Sequence, residues 1–239
     1  MQQYFVKNKI EEKEIVLEED IAFHVQKVMR MKPQTRIRLV DADKRCYLAE
    51  IDYRKNQVFA IILDEIRESS EMNCEITLIM GLIRQEKWDF VLQKCSELGV
   101  KRIIPMMSSR NVVKTKEEKI EKKLERWNKI TQEACEQCKR FEIAEVSAPI
   151  KLNHCDKYKS ELNLIAYENA ESISEDIRTL LNYNCKSVTF IIGPEGGFSE
   201  EEVMLCESMG YKRCSLGKRI LRAETAAMYC CAVVNALVE

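Results

Sequence analysis

The chain has 239 residues, 46% of them hydrophobic and 32% charged, with 38 Lys and Arg against 39 Asp and Glu. That length can bury one large core or two, and no uncharged apolar run approaches the ~18 residues a membrane-spanning helix requires. A formal net charge of −1 sets aside a uniformly basic chain that coats nucleic acid, so any such partner must be met by local patches.

The opening stretch "MQQYFVKNKIEEKEIV" lacks the charged-then-apolar layout of a secretory signal, and the expected location is the cytoplasm. The 11 cysteines are odd in number and scattered among apolar neighbours, which predicts free, mostly buried thiols in a reducing compartment.

In chain order, residues 1–70 read as short strands, "YFVK", "TRIRLVD", "CYLAEIDYR" and "QVFAIILDEI", separated by the turn signals "DADK" and "RKNQ". A helix over about 19–30 interrupts them, with Phe23, Val25 and Val28 as its apolar contacts. The expectation is a small β-barrel or curled sheet. It is locally basic: Lys27, Arg30, Lys32, Arg36, Arg38, Lys44 and Arg45 face only two acids between positions 24 and 45. The polar stretch "IRESSEMN", 66–73, reads as a linker.

From residue 74 the rhythm changes. "EITLIM" and "RIIPMM" are apolar strands, and "QEKWDFVLQKCSEL" between them has helical spacing through Trp88, Val91, Leu92 and Cys95, with Gly99 as a C-cap. A crossover of that length implies a parallel βαβ unit. A long amphipathic helix over about 117–139 follows, with Ile120, Leu124, Trp127, Ile130 and Ala134 on one stripe. Then come a strand in "LNLIAYE", a helix over 172–182, a strand in "SVTFIIG", a helix over 199–209, a strand in "KRCSLG" and a final helix from about 223, rich in small apolar residues. Residues 101–140 hold 12 Lys and Arg against 6 Asp and Glu. The predicted organisation is a β domain over 1–70 and an α/β domain with a mostly parallel sheet over 74–239.

Chemistry is expected in two loops. Only 7 glycines occur in the chain, yet Gly193, Gly196 and Gly197 fall within "IIGPEGGFSEEEV", between a strand and a helix capped by Ser199 and Glu202. Bare backbone there lets main-chain groups meet a ligand closely, and ligands of open α/β sheets sit beyond the carboxyl ends of strands. The alternative is a tight strand-to-helix turn. A second loop, "SLGKRILRAETAA", follows the next strand and interleaves Lys218, Arg219, Arg222 and Glu224 with Ile220 and Leu221. Neither G-x-G-x-x-G nor a Walker-type loop is present, which disfavours phosphate cradling and favours S-adenosylmethionine over ATP or NAD. Cys135-x-x-Cys138 has no second pair at a zinc-like spacing, so no metal is expected.

The pair "IIGPEGGFSEEE" and "LGKRILRAETAA" resembles the RsmE family of the SPOUT superfamily, which methylates N3 of a uridine in 16S ribosomal RNA. "FHVQKVMRMKPQTRIRLVD", "EKWDFVLQKCSELGV" and "RWNKITQEACEQCKR" extend the likeness over the whole chain. The resemblance implies a PUA-like RNA-binding domain, then a trefoil-knotted domain that binds S-adenosylmethionine and pairs as a homodimer on the small ribosomal subunit. Carried over by position, the cofactor residues are Leu164, Tyr167 and Glu168; Ile192, Gly193, Pro194, Glu195, Gly196 and Gly197; and Ser215, Leu216, Gly217, Arg219, Ile220, Leu221, Thr225 and Ala226. RNA contacts are expected from His24, Lys27, Arg30, Arg36, Arg38, Arg110 and Arg140. The chain departs from the family at Gln3, where arginine is common, at Lys139, where glycine is, and in "KPQTR", where a glycine turn is usual.

Removal of the uracil N3 proton leaves charge shared with two carbonyl oxygens, and Arg222 is the expected guanidinium beside it. Glu224 is expected either to orient that arginine or to take the proton, with Glu195 as the alternative. A non-catalytic ribosome-assembly protein on the same fold, or a nucleotide-using α/β enzyme, are the competing readings.

Overall fold

Apolar residues at every second position make one face of "RIRLV" and "CYLAEIDYR" a core and leave the other polar, and this alternation builds the N-terminal sheet. The structure, a computed structural model, describes residues 1–55, 57–108, 120–170, 173–182 and 184–238. The chain divides into two compact units, one of Met1–Glu71 with Cys135–Glu142 and one of Met72–Ala134 with Ile143–Glu239.

The first unit is a five-stranded sheet in the order β1-β3-β4-β5-β2, with β1 (Gln3–Phe5), β2 (Glu14–Val16), β3 (Arg36–Val40), β4 (Cys46–Arg54) and β5 (Gln57–Ile66). The pair β1–β3 is parallel and the others antiparallel. Ile37, Leu39, Ala49, Ile51, Val58 and Ala60 fill its core with Tyr4, Leu17, Ile21 and Val25. The predicted helix is a short α1 (Glu19–Phe23) that runs on as a π-helical turn, His24–Val28. Ile21 and Val25, four apart, share its inner stripe. Phe23 and Val28 therefore turn outward, 61% and 56% exposed, and do not supply the core contacts expected of them.

The three departures from the family acquire structural reasons here. Gln34 and Lys139 both sit in the left-handed region, at φ 65° and 69°. An L-residue there costs roughly 1–2 kcal/mol that glycine avoids, partly offset by glycine's larger unfolded-state entropy. Gln34 is exposed, so Gln34→Gly removes little but its strain. We expect its thermal midpoint to rise by the equivalent of up to about 1 kcal/mol, and a lower midpoint would contradict this account. Gln3 is buried and its Nε2 donates to the Arg140 carbonyl at 2.6 Å, which makes position 3 a packing position.

The second unit is a seven-stranded sheet in which every pairing is parallel. Its order is β12-β10-β11-β6-β7-β8, with β9 also on β7. Its strands are β6 (Glu75–Gly81), β7 (Val100–Met107), β8 (Glu145–Val146), β9 (Ile150–Lys151), β10 (Leu162–Ala166), β11 (Ser187–Ile192) and β12 (Lys212–Cys214). Helices on both faces bury the sheet, which explains why β6 and β11 are near-continuous apolar runs. The helices are α2 (Gln85–Glu97), α3 (Ile120–Cys138), α4 (Ile177–Leu180), α5 (Glu200–Ser208) and α6 (Ala223–Val238). In α2, Trp88, Val91, Leu92 and Cys95 face inward as predicted, and Gly99 follows the helix at φ 86°. Trp88 packs on Trp127 of α3 at 5.6 Å between ring centres. The start predicted for α3, 117–119, lies outside the described residues.

One predicted helix is corrected. Residue 172 of the predicted 172–182 lies outside the described residues; of 173–182, a 3-10 turn over Ile173–Glu175 and the four residues of α4 are helical. Asp176 breaks the run: its carboxylate accepts from the Arg178 N–H, and the chain around it pairs with the segment after β12. The Ser215 N–H donates to the Glu175 carbonyl at 2.8 Å, and the Ile177 N–H to the Ser215 carbonyl at 3.1 Å. Tertiary backbone pairing outcompetes the local helix.

All 11 cysteines are free, and each except Cys138 is buried. Burial pushes the Cys74, Cys155, Cys206 and Cys214 thiols up to about 12, which keeps them protonated at pH 8. An aromatic disulfide reagent should therefore label Cys138 quickly in the native protein and the others only on unfolding. Rapid native labelling of several thiols would refute the buried arrangement.

Candidate active site

Three neighbouring strands, β12, β10 and β11, end side by side, with Ala166 opposite Cys214 and Ile165 opposite Ile191. The segments leaving their carboxyl ends are the two glycine loops and the stretch after "LIAY". Each is fixed by main-chain bonds. The Tyr167 N–H donates to the Cys214 carbonyl at 3.1 Å, and Ser215 is held by Glu175 and Ile177 as described.

The loop after β11 closes through a Gly197 N–H bond to the Pro194 carbonyl at 3.0 Å, with Gly197 at φ 64°. Ser199 and Glu202 form the predicted capping box at the start of α5, with bonds of 3.3 and 3.0 Å. A less obvious support comes from β6. A Cβ on its last residue, Gly81, would lie 2.6 Å from both the backbone nitrogen and the Cδ of Pro194. The absence of a side chain at Gly81 is what lets the loop lie against the sheet.

Between these segments lies a cavity of about 510 Å³. Ala166, Ile192, Leu216, Leu221 and Ala226 give it apolar walls, and the 193–197 backbone gives it main-chain groups. Of the residues expected to hold a cofactor, Tyr167, Glu168, Ile192, Gly193, Pro194, Glu195, Gly196, Gly197, Ser215, Leu216, Gly217, Arg219, Ile220, Leu221 and Ala226 all line it, as does Arg222. Leu164 does not: it is buried inside β10. Thr225 faces solvent. Tyr167 is braced from outside by its hydroxyl, which donates to Glu200 at 2.8 Å, and by Arg213, which pairs with Glu200 and stacks on the phenol ring at 5.5 Å.

Arg222 is exposed, and no hydrogen bond or ion pair engages its guanidinium among the described residues. Glu224 is a correction: it neither orients that arginine nor lines the cavity, because its carboxylate is turned to Lys87 and its Oε2 is closed to solvent. The Glu224 carboxylate is 3.3 Å from Lys87, which itself lines the cavity and also stands 3.9 Å from Glu195. Lys87 escaped the sequence reading because "QEKWDF" parses fully as an amphipathic helix. The available signal was its place in the first turn of α2, where the helix dipole disfavours a cation.

The residues expected on RNA lie mostly in the first unit. Lys27 and Arg30 are exposed, without an ion pair among the described residues. Arg36 pairs with Glu50 at 3.2 Å, and Arg38 is half-buried over the Phe141 ring. His24 shares a 2.9 Å hydrogen bond with the Tyr4 hydroxyl. Arg140 is a correction: its guanidinium is buried and donates to Glu71 at 2.8 Å, a structural ion pair closed to a phosphate. Arg110 lies outside the described residues.

Residues 70–235 match a family model described as an RNA methyltransferase domain. The Ribosomal RNA small subunit methyltransferase E of Bacillus subtilis is 30% identical, over 98% of this chain and 96% of its own. That of Mesomycoplasma hyopneumoniae is 33% identical over 77% and 78%. The crystal structure of Ribosomal RNA small subunit methyltransferase E from Neisseria gonorrhoeae bound to S-adenosyl methionine superposes with a TM-score of 0.89 at 30% identity, covering 100% of this chain and 98% of that one.

Proposed function

The chain belongs to the ribosomal RNA small subunit methyltransferase E family, and from that premise we propose that it methylates N3 of one uridine in 16S ribosomal RNA. It is an S-adenosylmethionine-dependent methyltransferase of small-subunit ribosomal RNA. The observation that carries the reading is the cavity where β10, β11 and β12 end, built from the segments predicted to hold the cofactor.

The cavity suits S-adenosylmethionine. Its volume lies within the usual ~300–1,000 Å³ of small-molecule sites. Its walls offer apolar faces to an adenine and main-chain groups to its edge, with no phosphate cradle. When bound, the cofactor supplies an electrophilic methyl carbon. The protein's part is positioning, charge stabilisation and proton removal. Arg222 projects from the cavity wall with its guanidinium uncommitted, and there it stabilises the charge that spreads over a uracil ring once N3 is deprotonated. Glu195, which lines the cavity as Glu224 does not, accepts the proton, and the loops 193–197 and 215–222 fix the cofactor.

In the first unit, read as a PUA-like RNA-binding domain, Lys27, Arg30, Arg36 and Arg38 hold phosphates and set the register of the RNA, while the cavity receives the extruded base. The knot, in which the final segment threads a loop, and a homodimer formed through it belong to the same proposal. Exposed Ile220 and Leu237 on the knotted unit favour such pairing. No helix among the described residues is long and apolar enough to cross a membrane, and the proposed location is the cytoplasm.

The test offers S-adenosylmethionine with a labelled methyl group to assembled small subunits and to stripped ribosomal RNA, both from cells lacking this modification. Label on N3 of a single uridine is expected, with the assembled subunit as the better acceptor. Label on another atom, or on neither substrate despite cofactor binding, would overturn the assignment.

A further inference from the structure

The short helix of the first unit has two irregularities in a row. After Glu19–Phe23 it widens into the π-helical turn His24–Val28, closed by the Met29 N–H, which donates to the His24 carbonyl at 2.8 Å. Such turns are rare and frequently mark functional sites. Arg30 follows at φ 48°, a left-handed conformation that a residue with a side chain adopts only at a cost. On the inner side Ile21 and Val25 are buried, and His24 is tied to the Tyr4 hydroxyl at 2.9 Å. The outer side of the segment is thereby fixed in place.

That side presents an aromatic ring among cations. Phe23, Val28 and Met29 are 61%, 56% and 40% exposed, and Lys27 and Val28 follow Phe23 by four and five residues, one turn on. Lys27 and Arg30 are exposed, without an ion pair among the described residues. Between positions 23 and 32 the chain carries three cations, Lys27, Arg30 and Lys32, and no acid. The acids Glu19 and Asp20 stand in the first turn, at the other end of the helix. A protein surface covering this ring would have to desolvate the cations beside it. A nucleic acid would not: an unpaired base stacks on the ring while its own phosphates neutralise the charges.

We propose that Phe23 is a stacking platform for an unpaired base of the substrate RNA, with Lys27 and Arg30 on the phosphates that flank that base. This rests on the reading of the first unit as the RNA-binding part of the methyltransferase. Phe23 does not line the cavity, so its contribution is to RNA affinity and register, not to the transfer step. Every base offers a π-face, and the stack therefore tolerates any of the four.

The experiment compares Phe23→Ala, Phe23→Leu, Phe23→Tyr and Lys27→Ala with wild type on assembled small subunits that lack the modification. Phe23 and Lys27 are exposed, so thermal midpoints should not move, and calorimetry with S-adenosylmethionine checks that the cavity is intact. We expect Phe23→Ala to raise the KM for subunits about tenfold, in the range of one base–aromatic stack, with kcat and cofactor Kd changed less than twofold. Phe23→Tyr should stay within about twofold of wild type. Phe23→Leu, apolar but without a π-face, should lose as much as Phe23→Ala. Binding measured against salt separates the two kinds of contact. Lys27→Ala should flatten the slope of log K against log salt by about 0.7–0.9, the equivalent of one phosphate, whereas Phe23→Ala should leave the slope unchanged. An unaltered KM in Phe23→Ala would overturn the proposal. Recovery by leucine would make the site a general apolar contact, and a changed oligomeric state in Phe23→Ala would make it a contact between copies; either also overturns it. Wild type that binds subunits with this dependence on Phe23 but transfers no methyl group would sink the proposed function and leave the stack standing.

Discussion

Arg222→Ala should abolish most methyl transfer, by roughly 100- to 1,000-fold in kcat, while leaving S-adenosylmethionine affinity within a few-fold of wild type. The size follows from what the guanidinium does: a preorganised donor aimed at developing charge typically contributes that much. The selectivity follows from the structure. Arg222 projects from the cavity wall, exposed and with no ion partner among the described residues, so its removal orphans no carboxylate. Its backbone carbonyl still accepts from the Ala226 N–H at 2.8 Å, a bond that alanine preserves, so α6 should begin unchanged. Single-turnover transfer with saturating cofactor, alongside calorimetric binding, reads the two effects apart. Full turnover would remove Arg222 from the mechanism, and lost cofactor binding would make it a ligand contact instead.

Gly81→Ala should have the second largest effect, and in the opposite sense: it strikes the cofactor first. The added methyl group would stand 2.6 Å from two Pro194 atoms, one of them backbone, where flexible side chains cannot give way. Either β6 or the 193–197 loop must move, and overpacking of this kind costs about 1–3 kcal/mol. Because the loop is the softer partner, the displacement should fall on the main-chain groups that face the ligand. We expect cofactor affinity to drop at least tenfold, with a modest fall in the thermal midpoint. Wild-type affinity in Gly81→Ala would mean that the contact between Pro194 and β6 has no bearing on the cavity.

The sequence exposed the parts of this molecule that rest on local periodicity. The ends of β4 and β5 fall where "CYLAEIDYR" and "QVFAIILDEI" begin and end, and the inward stripe of α2 is the predicted one. The capping box at Ser199 and Glu202 was legible because both partners lie within one turn. Two of the three cavity segments stood out because a glycine-poor chain concentrates its glycines there. What escaped depends on partners distant in sequence. Lys87 reads as a helix-surface lysine until Glu224 and Glu195 are brought to it. The 172–182 segment has helical composition but gives its backbone to Ser215. Arg140 reads as a phosphate ligand until Glu71 encloses it. Gly81 reads as a strand end, and nothing local announces that Pro194 will rest on it.

The position of β11 in the sheet has a kinetic consequence. It lies between β6 and β10, pairing Ser187 with Glu75 on one side and Val188 with Leu162 on the other. The central ladder therefore joins residues more than a hundred positions apart in the chain, and such non-local parallel pairing is slow to form. On the ribosome, β6 and β7 emerge first and can pair, but the flank of β6 that β11 will cover stays open until residues 187–192 arrive. Only after 215–226 follow does the cavity gain its last wall. The growing chain thus carries an apolar strand edge through nearly half of its synthesis and acquires the capacity to bind its cofactor only near the end of it.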